Sequence, residues 1–319
     1  MTTRVMKFGG TSVGSLDRIR ACAAIVAAEC ARGEAVAVVV SAMAGETDRL
    51  LSLAGNLGFG LGDEETDVVL SAGEQISAAL MAMALGQSGL ASRSFLGWQA
   101  RIRTEGPPGS ARISGLDAAP IQSAMGEGCV PVMAGFQGAS INERLRTLGR
   151  GGTDLSAVAL AAALGAQCDI YTDVDGVFTT DPRIEPKARR IDRISYDEML
   201  ELAAQGAKVL QTRSVELAKA RSVPLRVLSS FAEPGQSEGT MIMQAEDIAE
   251  RRIVSGIAYA RDQARIALRG LSSEPGAAAA VFAGLADADI GIDMIVQSPS
   301  SESGRANLEF TVDRRDLDK

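Results

Sequence analysis

Short apolar runs alternate with longer amphipathic stretches from residue 4 to residue 228. The runs with the length and β-branched content of buried strands are residues 4–8, 35–40, 92–96, 130–134, 168–172 and 224–228. The stretches whose apolar positions recur at helical spacing are residues 15–32, 68–85, 117–127, 153–164, 195–204 and 213–221. Because consecutive parallel strands need a crossover helix between them, this alternation predicts an α/β fold with a mostly parallel sheet.

A second, smaller region follows this alternation. Between residues 231 and 247 the periodicity gives way to Glu, Pro, Gly, Ser and Gln, which is typical of an interdomain connection. We place the boundary near Gln244. The strand-like runs beyond it are residues 253–260, 264–270, 289–297 and 307–312, with a helix that begins after Pro275-Gly276. The sequence thus predicts a large domain (1–243), a linker with a first strand (244–263) and an α+β domain (264–319) that looks unfinished.

The composition limits the chemistry of any active site. The chain has no histidine, so the usual zinc ligand sets and the Ser-His-Asp and Cys-His constellations are excluded. Its four cysteines (Cys22, Cys30, Cys129 and Cys168) lack C-x-x-C spacing and are predicted to be buried, reduced thiols. Catalysis must therefore depend on carboxylates, Lys, Arg, hydroxyl groups or the backbone.

Charge and hydropathy restrict the partners. A net charge of −8 and a pI near 4.9 argue against nucleic acid as a partner, while local basic pockets could still hold anions. The longest apolar stretches, such as 156–165, are shorter than the roughly 20 residues of a membrane span, and no apolar leader opens the chain. We expect a cytoplasmic protein without a membrane partner.

Two glycine-rich segments could each bind an anion. Lys7-Phe8-Gly9-Gly10-Thr11-Ser12 combines a cation at a strand end, two glycines and hydroxyl groups before a helix, which favours a phosphate site. It is neither a P-loop nor G-x-G-x-x-G, and a lone Gly-Gly turn is more often structural. Gly149-Arg150-Gly151-Gly152-Thr153-Asp154 adds a guanidinium that can take a carboxylate. Asp154 either caps the following helix or orients Lys7.

Three further segments carry candidate ligand-binding groups. Glu74 interrupts an apolar helix in Ser71-Ala72-Gly73-Glu74, where an acid needs a partner such as a substrate ammonium. The segment 172–178 follows a strand end and offers acids for ribose or metal-bound water and an aromatic ring for a base, although Asp175-Gly176 alone is more often a turn. Arg183 and Lys208 are cations that could approach nucleotide phosphates.

Taken in order, these segments resemble the aspartate kinase family. The motifs are KFGGTSVG, VVVSAMAGETDRLL, SAGE, GFQG, TLGRGGTDLSAVALAAALGA, IYTDVDGVFTTDPRI and GAKVLQTRSVELA, and the resemblance is nearly continuous over residues 1–243. It implies a three-layer αβα amino-acid-kinase catalytic domain followed by ACT regulatory modules, of which 265–312 looks like most of one. Related enzymes usually carry two such modules, so the chain is expected to be truncated or naturally short.

The resemblance also implies an activity. It implies transfer of the γ-phosphoryl group of Mg-ATP to the β-carboxylate of L-aspartate, giving 4-phospho-L-aspartate at the first step of the lysine, threonine, methionine and diaminopimelate branch. Lys7 would neutralise phosphoryl charge and Asp154 would orient Lys7 and Mg-ATP. Arg150 would hold the α-carboxylate and Glu74 the ammonium. The other implied aspartate contacts are Thr47, Gly151, Gly152 and Thr153, and the other implied ATP contacts are Phe8, Gly9, Gly10, Thr172, Asp173, Phe178, Arg183 and Lys208.

Further expectations concern ions, effectors and assembly. Mg²⁺ is expected to be carried by ATP without a direct protein ligand, and no general base is needed because the aspartate side chain is already ionised at neutral pH. The resemblance implies regulatory contacts of Gly276, Gln297 and Ser298 with lysine or threonine, although Ser298 stands where asparagine is usual. It also implies a homodimer through the regulatory modules, and an incomplete module should leave apolar surface that alters solubility or association.

Two alternatives remain at this stage. Another amino-acid kinase, acting on glutamate or acetylglutamate, would share the fold and the Lys7 segment but would not be expected to carry SAGE and the ACT-like tail. A non-catalytic amino-acid sensor would be expected to have lost at least one of Lys7, Glu74, Arg150 and Asp154, and all four are present.

Overall fold

The computed structural model describes residues 2–207, 209–248, 254–259, 262–288, 290–301 and 304–317. They form two compact units, Met1–Ala258 and Tyr259–Lys319. The strands of the first unit are β1 (Thr3–Phe8), β2 (Ala35–Val40), β3 (Ser92–Phe95), β4 (Ile102–Glu105), β5 (Arg112–Leu116), β6 (Val130–Ala134), β7 (Gln137–Ala139), β8 (Leu145–Thr147), β9 (Gln167–Thr172), β10 (Arg193–Ser195), β11 (Leu225–Ser229) and β12 (Thr240–Met243). Its helices are α1 (Leu16–Ala31), α2 (Glu46–Asn56), α3 (Glu64–Gln87), α4 (Ala119–Gly126), α5 (Gly152–Leu164), α6 (Tyr196–Ala204) and α7 (Thr212–Arg221).

An eight-stranded sheet in the order β10-β12-β11-β9-β1-β2-β6-β3 organises the first unit. The six strands from β11 to β3 are parallel, while β12 runs antiparallel to β11 and carries β10 beside it. The predicted mostly parallel α/β fold is therefore confirmed. Side chains alternate between the faces of β1, so Val5 lies in one hydrophobic cluster and Met6 and Phe8 lie in the other. Lys7 shares the face of Val5, on which α5 packs.

A smaller sheet in the order β5-β4-β7-β8 was not predicted from the sequence. Its strands have three to five residues, and β4 meets β7 at a single residue pair, Arg103 with Ala139. Strands this short show too few alternating positions for periodicity to identify them. Helix α2 was also not predicted from the sequence. Only Leu50 and Ala54 along it are buried, so its apolar face is narrow.

Two predictions around the interdomain connection are wrong. Thr240–Met243 lies within the segment assigned to the connection, yet it forms β12 of the main sheet. The buried hydroxyl of Thr240 accepts a hydrogen bond from the Val177 amide at 2.8 Å and donates to the Ile191 carbonyl at 2.6 Å, and these bonds hold the strand in place. The strand predicted at 253–260 is absent from its described residues, 254–259. The end residues 253 and 260 lie outside the described residues.

The second unit contains β13 (Gln263–Ser272), α8 (Ala277–Asp287), β14 (Ile292–Pro299) and β15 (Arg305–Asp313). The strands form an antiparallel sheet in the order β13-β15-β14, and α8 packs on it through an edge-to-face contact of Phe282 and Phe310. The α+β architecture predicted here is confirmed, although β14 begins later than predicted and Asp289 lies outside the described residues. On the edge strand β14, Met294, Ile295 and Val296 are exposed. The predicted effect on solubility or association stays a prediction.

Helix α3 is the one described helix that is long and apolar enough to cross a membrane by length and composition, which the sequence analysis did not foresee. Half of its most apolar window is buried inside the first unit. Asp67 and Glu74 are among its buried residues. A mostly apolar helix that buries carboxylates against its own protein is typical of a core helix.

Candidate functional site

The carboxyl ends of the parallel strands meet at one edge of the main sheet, where ligands of open α/β folds commonly bind. A cavity of about 330 Å³ opens there. The residues that line it are Lys7, Gly10, Ser41, Ala42, Met43, Ala44, Gly45, Thr47, Asp48, Glu74, Phe136, Gly149, Arg150, Gly151, Gly152, Thr153 and Asp154. The two glycine-rich segments that the sequence separates by about 140 positions therefore share one site.

A lysine and an aspartate face each other inside this cavity. Lys7 leaves the end of β1, and its Nζ lies 2.5 Å from Oδ1 of Asp154 in the first turn of α5. The side chains are only 10% and 11% exposed, so each charge depends on the other for compensation. The helix N-cap is Gly151, which makes no side-chain cap bond. The structure thus favours the interpretation that Asp154 orients Lys7 over the interpretation that it caps α5.

The glycine turn after β1 leaves the Lys7 ammonium accessible. A Cβ atom on Gly9 would lie 3.5 Å from Nζ of Lys7, and one on Gly10 would lie 3.0 Å from the carbonyl oxygen of Ala42. The amide of Gly9 donates to the Tyr171 carbonyl at 3.2 Å, which ties the turn to β9. A larger residue at either position would narrow the space in which an anion could reach Lys7.

Glu74 presents an unpartnered carboxylate oxygen to the same cavity. It is 3% exposed, and its Oε1 accepts a hydrogen bond from the Ala42 amide at 3.1 Å. Its Oε2 is buried and has no hydrogen-bond partner in the part of the chain that the structure describes. Burial is the main cause that raises the pKa of Glu74 to about 7, against the lowering effect of the Ala42 hydrogen bond. A buried carboxyl group with one oxygen left without a hydrogen-bond partner is suited to bind a cationic group of a ligand.

Gly73 allows α3 to approach the loop that carries Ala42. A Cβ atom at Gly73 would lie 2.8 Å from the Cβ of Ala42, and we expect Gly73→Ala to lower the free energy of unfolding by about 1–3 kcal/mol. Gly86 lies on the same helix with no atom within 4 Å of its hypothetical Cβ, so Gly86→Ala should stabilise the protein by about 0.5–1 kcal/mol. Urea unfolding of both variants measures the difference. Equal effects would show that the contact with Ala42 is not tight.

Two glycines with left-handed backbone conformations form the part of the cavity wall that carries Arg150. Gly149 and Gly151 have φ angles of 73° and 74°, which a residue with a side chain rarely adopts. A Cβ at Gly151 would also lie 2.2 Å from Cγ of Gln211. The exposed Arg150 lies between these glycines, and no carboxylate among the described residues forms a salt bridge with it. Its guanidinium is therefore available to an anionic ligand.

Nine of the predicted site residues line the cavity. They are Lys7, Gly10, Thr47, Glu74, Arg150, Gly151, Gly152, Thr153 and Asp154. Gly9 lies beside it, whereas the Phe8 ring is buried on the other face of the sheet and stacks on Tyr171 with centroids 4.8 Å apart. At Phe8, only backbone groups are placed to contact a ligand at this edge.

Four of the other residues predicted to contact the nucleotide, Thr172, Asp173, Phe178 and Arg183, do not line this cavity. Thr172 is the last residue of β9, the strand next to β1, and Asp173 follows it. Phe178 is half-buried and forms an isolated bridge with Arg190, and Arg183 forms a salt bridge with Asp181 at 2.8 Å. Lys208 lies outside the described residues. In the second unit, Gly276 is the N-cap of α8, and Gln297 and Ser298 are on β14.

Eight lining residues were not among the predicted site residues: Ser41, Ala42, Met43, Ala44, Gly45, Asp48, Phe136 and Gly149. All of them fall within the motifs VVVSAMAGETDRLL, GFQG and TLGRGGTDLSAVALAAALGA, so the motifs indicated the segments but not these individual residues. The φ angle of Phe136 is 67°, a left-handed conformation that sequence patterns do not predict for a phenylalanine.

Comparisons with known proteins agree with this geometry. A model of the amino acid kinase family matches residues 2–229, and an ACT domain model matches residues 266–319. An aspartate kinase of Pseudomonas putida is 46% identical over 100% of this chain and 77% of its own length. An aspartokinase of Helicobacter pylori strain J99 is 48% identical over 99% of this chain and 78% of its own length.

Solved structures show the same fold. The Synechocystis aspartate kinase is 38% identical with a TM-score of 0.68 over 99% of this chain, which spans about half (53%) of that protein. Aspartokinase III of E. coli, solved with aspartate and ADP, is 30% identical with a TM-score of 0.78 and covers 98% of this chain and 78% of its own. The same E. coli enzyme has also been solved with lysine and aspartate.

Proposed function

The chain belongs to the aspartokinase family of amino acid kinases, and from this membership we propose that it transfers the γ-phosphoryl group of ATP to the β-carboxylate of L-aspartate. The product would be 4-phospho-L-aspartate, at the first step of the lysine, threonine and methionine branch. The observation that carries the proposal is the cavity, which combines the Lys7–Asp154 pair with the unpartnered oxygen of Glu74 and the exposed Arg150.

The charges of the cavity suit a dicarboxylic amino acid. Arg150 can hold the α-carboxylate through two parallel hydrogen bonds, and Glu74 can accept from the ammonium group. Thr47, Thr153 and the amides of Gly151 and Gly152 complete the proposed aspartate site. The side-chain carboxylate of the substrate is then free to point toward Lys7. The E. coli relative solved with aspartate supports aspartate as the ligand.

The residues present also fit the phosphates of a nucleotide. The glycines of the β1 turn leave room beside the Lys7 ammonium, and we propose that the Gly10 amide and Lys7 hold the transferring phosphoryl group. The Gly9 amide fixes the turn through the Tyr171 carbonyl, and Asp154 keeps Lys7 in place. Mg²⁺ bound by the ATP phosphates would supply further charge neutralisation. We assign the rest of the nucleotide to Thr172, Asp173, Phe178, Arg183 and Lys208.

The reaction requires positioning rather than proton transfer. A substrate carboxylate oxygen forms a bond to the γ-phosphorus as the bond to the β–γ bridging oxygen breaks, and ADP leaves with that electron pair. The carboxylate is ionised at neutral pH, so no base is needed. Lys7 offsets the charge that spreads over the phosphoryl oxygens, and this accounts for an active site without histidine.

For the second unit we propose a regulatory role. The match to an ACT domain supports it, and the complex of the E. coli relative with lysine supports lysine as an effector. Threonine is the alternative effector in this proposal. Gly276, Gln297 and Ser298 are the proposed effector contacts, and a homodimer through these modules is the proposed assembly. We further propose that residues 1–243 form the catalytic domain of a cytoplasmic enzyme.

The ionisation of Glu74 predicts how activity depends on pH. Its pKa of about 7 means that the carboxylate becomes neutral as the pH falls through neutrality and can no longer pair with the substrate ammonium. We expect kcat/KM for aspartate to be about twentyfold lower at pH 5.5 than at pH 7.5, as for a single ionisation. Initial rates at saturating ATP across this range measure it.

Glu74→Gln is the control for this profile, because it removes the ionisation and keeps the size of the side chain. The variant should have a low kcat/KM for aspartate that no longer declines between pH 7.5 and 5.5. A decline that persists in Glu74→Gln would assign the ionisation to another group, such as the ATP phosphates.

ADP release with Mg-ATP tests the function directly. We expect turnover with L-aspartate and at most about 1% of that kcat/KM with L-glutamate or acetylglutamate, because an extra methylene displaces the reacting carboxylate from Lys7. Turnover only with glutamate or its acetyl derivative would assign the chain to another amino-acid kinase. Binding of aspartate without any turnover would indicate a sensor.

A further inference from the structure

Phe136 holds an unusual backbone conformation at the wall of the cavity. Its φ angle is 67°, in the left-handed region that bulky side chains avoid, and such a residue persists only where its surroundings hold it. Phe136 follows the carboxyl end of β6 and lines the site together with Gly152 and Thr153. The groups that hold it are therefore candidates for controlling the shape of the substrate site.

The hydroxyl group of Ser156 is one of these groups. Ser156 lies one turn into α5 and is completely buried. Its Oγ accepts a hydrogen bond from the Phe136 amide at 3.1 Å and donates one to the Gly152 carbonyl at 2.8 Å. The Phe136 carbonyl in turn accepts from the Leu148 amide at 2.9 Å. Both backbone polar groups of Phe136 are thus bonded to the segments that flank Arg150.

Close packing links Phe136 to the start of α5. A Cβ on Gly152 would lie 2.9 Å from Cδ2 of Phe136, and a Cβ on Gly135 would lie 2.5 Å from Cγ2 of Thr153. These short distances show that residues 135–136 lie directly against Gly152 and Thr153, with no space for a side chain on either glycine. A change in the conformation of Phe136 would therefore change the wall that faces the substrate.

We propose that Ser156 is a positioning residue for the amino-acid substrate, because its hydroxyl group holds Phe136 in the left-handed conformation and so sets the position of Gly152 and Thr153. This inference rests on the proposed function and extends it to a residue that does not line the cavity. A buried helical serine commonly donates to a carbonyl of the preceding turn of its own helix. Ser156 makes that bond and also receives the amide of Phe136 from another segment.

Ser77 provides the matched control. It is also completely buried in a helix, and its hydroxyl group donates to the Gly73 carbonyl four residues earlier, at 3.2 Å. We expect Ser156→Ala to raise KM for aspartate about tenfold, the effect of losing one effective hydrogen bond, and to change KM for ATP less than about twofold. Ser77→Ala should leave both constants within about twofold of wild type. Equal effects of the two substitutions on KM for aspartate would overturn the proposal.

A double-mutant cycle separates positioning from general loss of packing. Glycine adopts a positive φ angle without a steric cost. In a Phe136→Gly background the Ser156 hydroxyl group is therefore not needed to stabilise the left-handed conformation of residue 136. In the Phe136→Gly background, Ser156→Ala should change KM for aspartate by less than about threefold. This holds whatever effect Phe136→Gly by itself has on KM. An undiminished tenfold effect in that background would contradict the proposal.

Hydrogen exchange tests the same contact without measuring activity. The Phe136 amide should exchange faster in Ser156→Ala than in wild type and be unchanged in Ser77→Ala, because only Ser156 accepts its hydrogen. An unchanged exchange rate in Ser156→Ala would overturn the inference even if the enzyme phosphorylates aspartate. Absence of aspartate turnover in the wild-type protein would instead reject the proposed function, and with it the assignment of Ser156 to an aspartate site.

Discussion

Lys7→Met is expected to reduce kcat for aspartate-dependent ADP release by about 10³-fold or more, the scale at which enzymes lose rate when a group that neutralises transition-state charge is removed. The ammonium group lies beside Asp154 with a side-chain exposure of 10%, and a water molecule in its place would bring no positive charge to the phosphoryl oxygens. The measurement is kcat at saturating aspartate and ATP. Lys219→Met is the control, because Lys219 forms an ion pair of the same 2.5 Å length with Asp197 but is 43% exposed. It should change kcat less than about twofold.

The double variant Lys7→Met/Asp154→Asn separates catalysis from folding. Lys7→Met alone leaves the Asp154 carboxylate buried without its partner, which should lower the free energy of unfolding by about 3 kcal/mol. Replacing Asp154 with asparagine as well should restore most of that stability, because no buried charge remains, yet turnover should stay absent. Recovery of turnover in the double variant would show that Lys7 serves only to compensate Asp154.

Arg150→Ala should raise KM for aspartate about 100-fold while changing KM for ATP less than about twofold, because a charge-assisted pair of hydrogen bonds to the α-carboxylate is lost. The side chain is exposed and forms no salt bridge with another described residue, so folding should be unaffected and the melting temperature unchanged. Steady-state kinetics with each substrate varied in turn measures both constants.

Arg150→Lys refines this prediction. Lysine keeps the charge but cannot present two parallel donors, so it should recover only part of the lost affinity. Full recovery would show that a point charge suffices. If instead Arg150→Ala raised KM for ATP as much as KM for aspartate, the guanidinium would belong to the nucleotide site, and the proposed orientation of the two substrates would be wrong.

The strongest sequence signals identified the elements that hold the site. Residues 35–40 and 130–134 were predicted as strands with the bounds that β2 and β6 have, because a strand buried on both faces is apolar at every position. The start of α5 was recognised from three glycines followed by a nearly continuous apolar run. These local patterns place Lys7 at a strand end and Asp154 at a helix start, but they do not say that the two meet.

The tertiary structure decided what depends on groups distant in sequence. Asp154 could have capped its own helix, and only the register of β1 beneath α5 makes it a partner of Lys7. The pKa of Glu74 is raised by burial, which depends on segments distant in sequence. The left-handed conformation of Phe136 is held by hydrogen bonds to Ser156 and Leu148, which belong to other segments. The short strands of the smaller sheet form because neighbouring segments supply hydrogen bonds, not because their own sequences favour strands. Periodicity and motifs therefore determined the long elements of the main sheet and the residue types that line the cavity. Contacts between elements, which short-range patterns do not encode, decided which charges are buried together and how the cavity is shaped.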